Sequence, residues 1–162
     1  MPNDTEHIQA ALHNIDAIQY LLADSRFGDW VTTATFYTAL HVVDAILFYD
    51  RKSPAKHGKT HSGRNDILKG IPRYKHICKY YMLLFRASKV ARYLADDHTG
   101  TAKRFDIYMP HKTVIEEVLK RDLWQILKSA SNFLPSGHIK KLQAKFQGLF
   151  PKNSTHTAKA KS

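Results

Sequence analysis

A single cysteine, Cys78, is all the thiol that this 162-residue chain holds. That excludes an internal disulfide and any metal site built on several thiolates, and it suits a reducing compartment. Cys78 lies beside core positions of a helix and reads as a small packing residue. Glycine and proline are scarce, at seven and six, which excludes collagen-like and Pro-rich low-complexity chains. The P-loop signature, GxGxxG and HExxH do not occur, so the usual linear marks of nucleotide cradles and zinc hydrolases are missing. The apolar runs read as too short for a membrane span of roughly 18–20 residues. The opening MPNDTEHIQ has neither the basic nor the apolar region of a secretory signal. These absences point to a cytoplasmic protein without a membrane partner.

Acids are missing altogether from residues 123–162, which carry seven lysines. Residues 51–104 hold 14 Lys and Arg against three Asp, whereas the first 24 residues hold four acids and no Lys or Arg. The net charge of +11 is therefore segregated. Segregated positive charge implies a polyanionic partner, of which nucleic acid is the commonest.

Apolar periodicity predicts an all-α protein, an up-and-down bundle of four main helices plus short ones. The first helix spans about 4–23, with Ile8, Ala11, Leu12, Ile15, Ile18 and Leu22 on one stripe. His7 and His13 fall off that stripe and are expected in solvent. The second, about 30–49, is apolar nearly all round and belongs in the middle of a bundle. It carries Tyr37, His41 and Asp44 as a polar stripe. After the basic loop 51–60, a short helix crosses 62–69. The third main helix spans 73–95, with Ile77, Tyr80, Leu84, Ala87, Ala91 and Leu94 inward. Lys75, Lys79, Arg86 and Lys89 line its other side as the expected nucleic-acid contact. Pro110 opens the fourth, about 110–134. The domain is placed at 1–134, followed by a basic amphipathic helix at 135–150 and a disordered basic tail at 151–162.

Chemistry must come from side chains assembled by folding. His57 and His61 are spaced to share a metal on a helix, but Gly58 and the neighbouring Lys56, Lys59 and Arg64 argue against it. No metal or cofactor is expected. His61 and Arg64 stand three apart, and Arg92 and His98 six apart. A histidine can move the protons of RNA cleavage while an arginine stabilises charge on phosphorus, with no metal required.

Several separated pieces occur in order: Trp30-Val31, then Phe36-Tyr37-Thr38-Ala39-Leu40-His41-Val42-Val43-Asp44-Ala45, then His61-x-x-Arg64-Asn65, then Ser88-x-x-Ala91-Arg92-Tyr93. Together they resemble the HEPN-domain superfamily, over roughly residues 5–134. The resemblance implies a helical bundle, often a homodimer. Many members are metal-independent RNases with an R-x4-6-H motif, found in toxin–antitoxin, phage-defence and RNA-processing systems. On that pattern Arg92 and His98 are the first catalytic candidates. His61 with Arg64 is the second pair, with Tyr37, His41, Asp44 and Asn65 as polar support. A dimer would join two copies of Arg92, with Tyr81, Phe85 and Trp124 as contact. Other members do not cleave, so a non-catalytic module binding nucleotide, nucleic acid or the product of a neighbouring gene is the alternative. A DNA-binding regulator is a third class, disfavoured because no helix-turn-helix pair with a clear recognition helix is visible.

Overall fold

A computed structural model describes residues 2–58, 60–94 and 104–151. Among them every regular element is helical, as the periodicity predicts. Helix α1 is Asp4–Leu21 and α2 is Gly28–Tyr49. Then come α3, His61–Gly70, and α4, Lys75–Tyr93. A single turn, α5 (Phe105–Tyr108), leads to the long helix α6 at 111–130, and α7 is Ser136–Gly148.

The first helix begins where the chemistry allows. Asn3 Oδ1 accepts the Glu6 N–H at 2.9 Å while Glu6 Oε2 accepts the Asn3 N–H at 2.8 Å. This reciprocal box satisfies two otherwise orphaned donors. Asp24 caps the 3-10 turn Ser25–Phe27 that hands the chain to α2.

Helix α2 is the centre of the bundle and packs against α1, α4 and α6. It buries 14 residues, including Thr32, Thr35 and Thr38. Each threonine hydroxyl donates to the carbonyl four residues back, at 2.7–2.9 Å, so none of these three buried hydroxyls is left unmet. The stretch Ser25–Tyr49 is long and apolar enough to cross a membrane, contrary to the reading of the apolar runs. However, 67% of its most apolar part is buried inside the bundle, and burial against other helices accounts for that composition equally well.

The far end of α2 is tied down by Asp50. Its carboxylate accepts the Tyr74 hydroxyl at 2.5 Å and meets the Arg73 guanidinium. Thr60 caps α3, its Oγ1 accepting the Gly63 N–H at 3.0 Å. Pro72 ends α3 and opens the 3-10 turn Pro72–Tyr74. Helix α4 turns Ile77, Tyr81, Leu84, Ala87, Ser88 and Val90 inward. Tyr80 and Ala91, expected there, are only half-buried, and Leu94 is exposed in the left-handed conformation at φ 51°.

Helix α6 is interrupted by π-type turns over Val114–Leu123, and the Trp124 N–H reaches the Leu119 carbonyl five residues back. Helix α7 packs on α1 through buried Ile139, Leu142 and Phe146. Lys145 bonds Asp16 at 2.7 Å and His138 stands 3.4 Å from Asp4. Positive α7 is thus matched to the acidic first helix.

Candidate functional site

The polar stripe of α2 holds a buried carboxylate. Asp44 is fully buried there, facing Arg64 from α3. Arg64 Nε donates to Asp44 Oδ1 at 2.8 Å and Nη2 to Oδ2 at 2.6 Å. The Gly58 N–H donates to the same Oδ1 at 3.3 Å, and the Gly58 carbonyl accepts Arg64 Nη2 at 2.9 Å. Gly58 is required by space: an added Cβ would stand 2.6 Å from Arg64 Cβ. His57 Nε2 lies 3.5 Å from Asp44 Oδ2. This clasp holds His57 and Gly58 of the loop after α2 against Asp44.

His7 joins the group from α1. The apolar stripe places it in solvent, yet it is 4% exposed, and its Nδ1 lies 3.2 Å from His41 Nδ1. The spacing held the signal: His7 precedes Ala11 by four residues and Ile18 by eleven, one helical face. Burial holds His7 and His41 below the usual histidine range, with the Asp44 charge working the other way. Burial likewise pushes the Tyr81 phenol up to about 12, against the pull of Arg64. For Arg64 burial works downward, but the bonds and charge of Asp44 outweigh it and raise its pKa.

The second group opens toward solvent at the end of α4. Arg92 Nε donates to the Ser88 carbonyl at 3.1 Å, Nη2 to Ser88 Oγ at 3.3 Å and Nη1 to the Tyr37 hydroxyl at 3.4 Å. Its guanidinium lies 4.9 Å from the Tyr93 ring and 5.6 Å from that of Phe36. Among the described residues all its partners are neutral. The first residue of α3, His61, packs against the same Phe36 at 5.6 Å and against Phe85 at 5.8 Å. Burial, then the positive charges of Arg64 and Arg92, hold its pKa down. His61 and Arg92 therefore share one environment.

The expected pairs are regrouped. His98 lies outside the described residues. Arg64 bonds Asp44 in the clasp rather than His61, and His61 is left with Phe36 and Phe85 and the charge of Arg92. His57 and His61 also part, one toward Asp44 and the other between Phe36 and Phe85. Asn65 is buried, and its Oδ1 has no partner. Four of the five buried side-chain polar atoms left unpaired among the described residues belong to this region: His7 Nε2, His61 Nδ1, Asn65 Oδ1 and Tyr81 Oη. Sequence reasoning missed Gly58 and Ser88, whose roles arise from approach rather than residue type.

Lys75, Lys79 and Arg86 are exposed on the outer face of α4, and Lys89 is half-buried. Tyr81, expected at a dimer contact, is 0% exposed and cannot supply one. Trp124 stacks on Phe146 at 5.3 Å. The exposed aromatics beside Arg92 are Trp30 and Tyr93, at 61% and 64%. No protein-family model, curated protein or solved structure matches this chain.

Proposed function

We propose that the protein acts on RNA as a metal-independent endoribonuclease of HEPN-like arrangement, with His61 and Arg92 at its centre. The observation that supports this most is the shared setting of these two side chains. A histidine held below its usual pKa stays neutral near pH 7 and accepts a proton. An arginine with only neutral partners among the described residues keeps its charge for a phosphate. His61 takes the proton of the ribose 2′-hydroxyl. The 2′-oxygen attacks phosphorus, the bond to the 5′-oxygen breaks, and the leaving oxygen takes up a proton. Arg92 stabilises the charge that develops on the phosphoryl oxygens. The products are a 2′,3′-cyclic phosphate and a 5′-hydroxyl. His98 is the second proton carrier that the sequence offers.

Lys75, Lys79, Arg86 and Lys89 with the 51–60 loop guide the backbone of the RNA. A two-fold dimer through Trp30 and Tyr93 would bring two copies of Arg92 together.

Cleavage of unstructured RNA in the presence of a chelator is the test. Arg92→Ala and His61→Ala should each lower the rate by about 100-fold while leaving the helix content unchanged. The acidic limb of the rate should have its midpoint below 6.5, because His61 must lose its proton to act. If the parent cuts no RNA, or both variants cut like the parent, the enzyme reading fails. Salt-dependent binding without cleavage would then favour the non-catalytic module.

A further inference from the structure

Helix α1, helix α2 and the 50–60 loop bring two further histidines to a carboxylate, away from the His61–Arg92 centre. One nitrogen each of His7 and His57 and one oxygen of Asp44 lie within 4.8 Å of one another. His57 Nε2 and Asp44 Oδ2 stand at 3.5 Å. That is close to the edge of a tetrahedron whose ligands sit about 2.0–2.2 Å from its centre.

The protonation chemistry of each group fits. His7 Nδ1 is engaged by His41, which leaves Nε2 as its free ligand atom. That nitrogen is buried and has no hydrogen-bond partner, on a residue 4% exposed. An unmet buried nitrogen is costly unless something binds it. Asp44 Oδ1 is filled by Arg64 Nε and the Gly58 N–H. Oδ2 accepts one bond from Arg64 Nη2, and among the described residues its second lone pair has only His57 within ion-pair reach.

We propose that His7, His57 and Asp44 form a site for a divalent transition-metal ion of the zinc class. Two imidazoles and a carboxylate suit a borderline ion and leave a fourth position open. Arg64, the Gly58 N–H and His41 are then the outer partners that hold Asp44 and His7 in orientation, as such partners do around bound metals. Arg64 repels a cation, but its charge is already matched by two hydrogen bonds to Asp44. The ion ties the 50–60 loop to α1 and α2. It takes no part in moving protons at His61.

Zinc titration of the metal-stripped full chain against a chromophoric chelator tests this. One tight equivalent is expected. His57 is a loop residue with a side chain 23% exposed, so His57→Ala should keep the helix content. It should weaken zinc binding by about 100-fold. His57→Cys should restore binding, since a thiolate is also a zinc ligand. His7→Gln is a second variant with the same expected loss, and exposed His13→Ala should change nothing. A parent with no tight equivalent, or zinc binding untouched by His57→Ala, overturns the site. No RNA enters this titration, so its failure is separate from failure of the cleavage reading.

Discussion

At 1% side-chain exposure, the Asp44 carboxylate has no water to turn to once Arg64 is taken away. A buried pair is worth little against an apolar replacement of the same shape, but half of it is costly, because one charge is left uncompensated. Arg64→Met alone should therefore cost about 3–5 kcal/mol of stability in urea unfolding. Asp44→Asn should cost a similar amount, since Arg64 would then be the orphan. The double variant Asp44→Leu/Arg64→Met should cost clearly less than the two single losses added together. Additive losses would mean that the pair does not act as a unit. The stripe Tyr37, His41 and Asp44 was legible on α2, because three polar residues on a helix apolar all round need partners. Which arginine served which partner was not legible. Arg64 and Arg92 are alike in type, and the choice depends on how the 50–60 loop closes.

Among the elements, that loop and the helix after it respond oppositely to the same change. Gly58 sits against Arg64, where a Cβ would come within 2.6 Å of Arg64 Cβ and 3.0 Å of its Nε. Gly58→Ala should lower stability by about 1–3 kcal/mol through overpacking. Gly70, the last residue of α3, has nothing within 4 Å of an added Cβ. Gly70→Ala should raise stability by about 0.4–1 kcal/mol by restricting the unfolded chain. Thermal melts of the two variants should move in opposite directions. Helix periodicity located α1, α2, α3, α4 and α7 to within a few residues, because each carries apolar residues at helical spacing, on one face or, in α2, nearly all round. Within α6 it could not show the π-type turns over Val114–Leu123. A widened turn changes hydrogen bonding by one residue without interrupting the apolar pattern. The burial of His7 was present in the spacing but outweighed by residue type: histidine is polar, and its burial depends on a partner from another helix.

The charge pattern belongs to the molecule as a whole. Folding pairs the C-terminal Lys145 with Asp16 of α1 and leaves Lys75, Lys79 and Arg86 exposed on α4. Lys79→Glu with Arg86→Glu should therefore weaken RNA binding more than deletion of residues 151–162. The log–log salt slope should fall by roughly 0.7 for each phosphate that the variant no longer neutralises. Anisotropy measured at several salt concentrations checks both, and loss of binding on tail deletion alone would place the RNA footprint elsewhere. The central position of α2 has one more consequence, in the order of unfolding. A helix covered by α1, α4 and α6 cannot open alone, whereas α3, which lies mainly on α4, can open without the rest of the bundle at the cost of the Arg64–Asp44 clasp. Amide exchange along α2 is then slaved to loss of the whole bundle, so the slowest-exchanging protons of the protein report its global stability and nothing local.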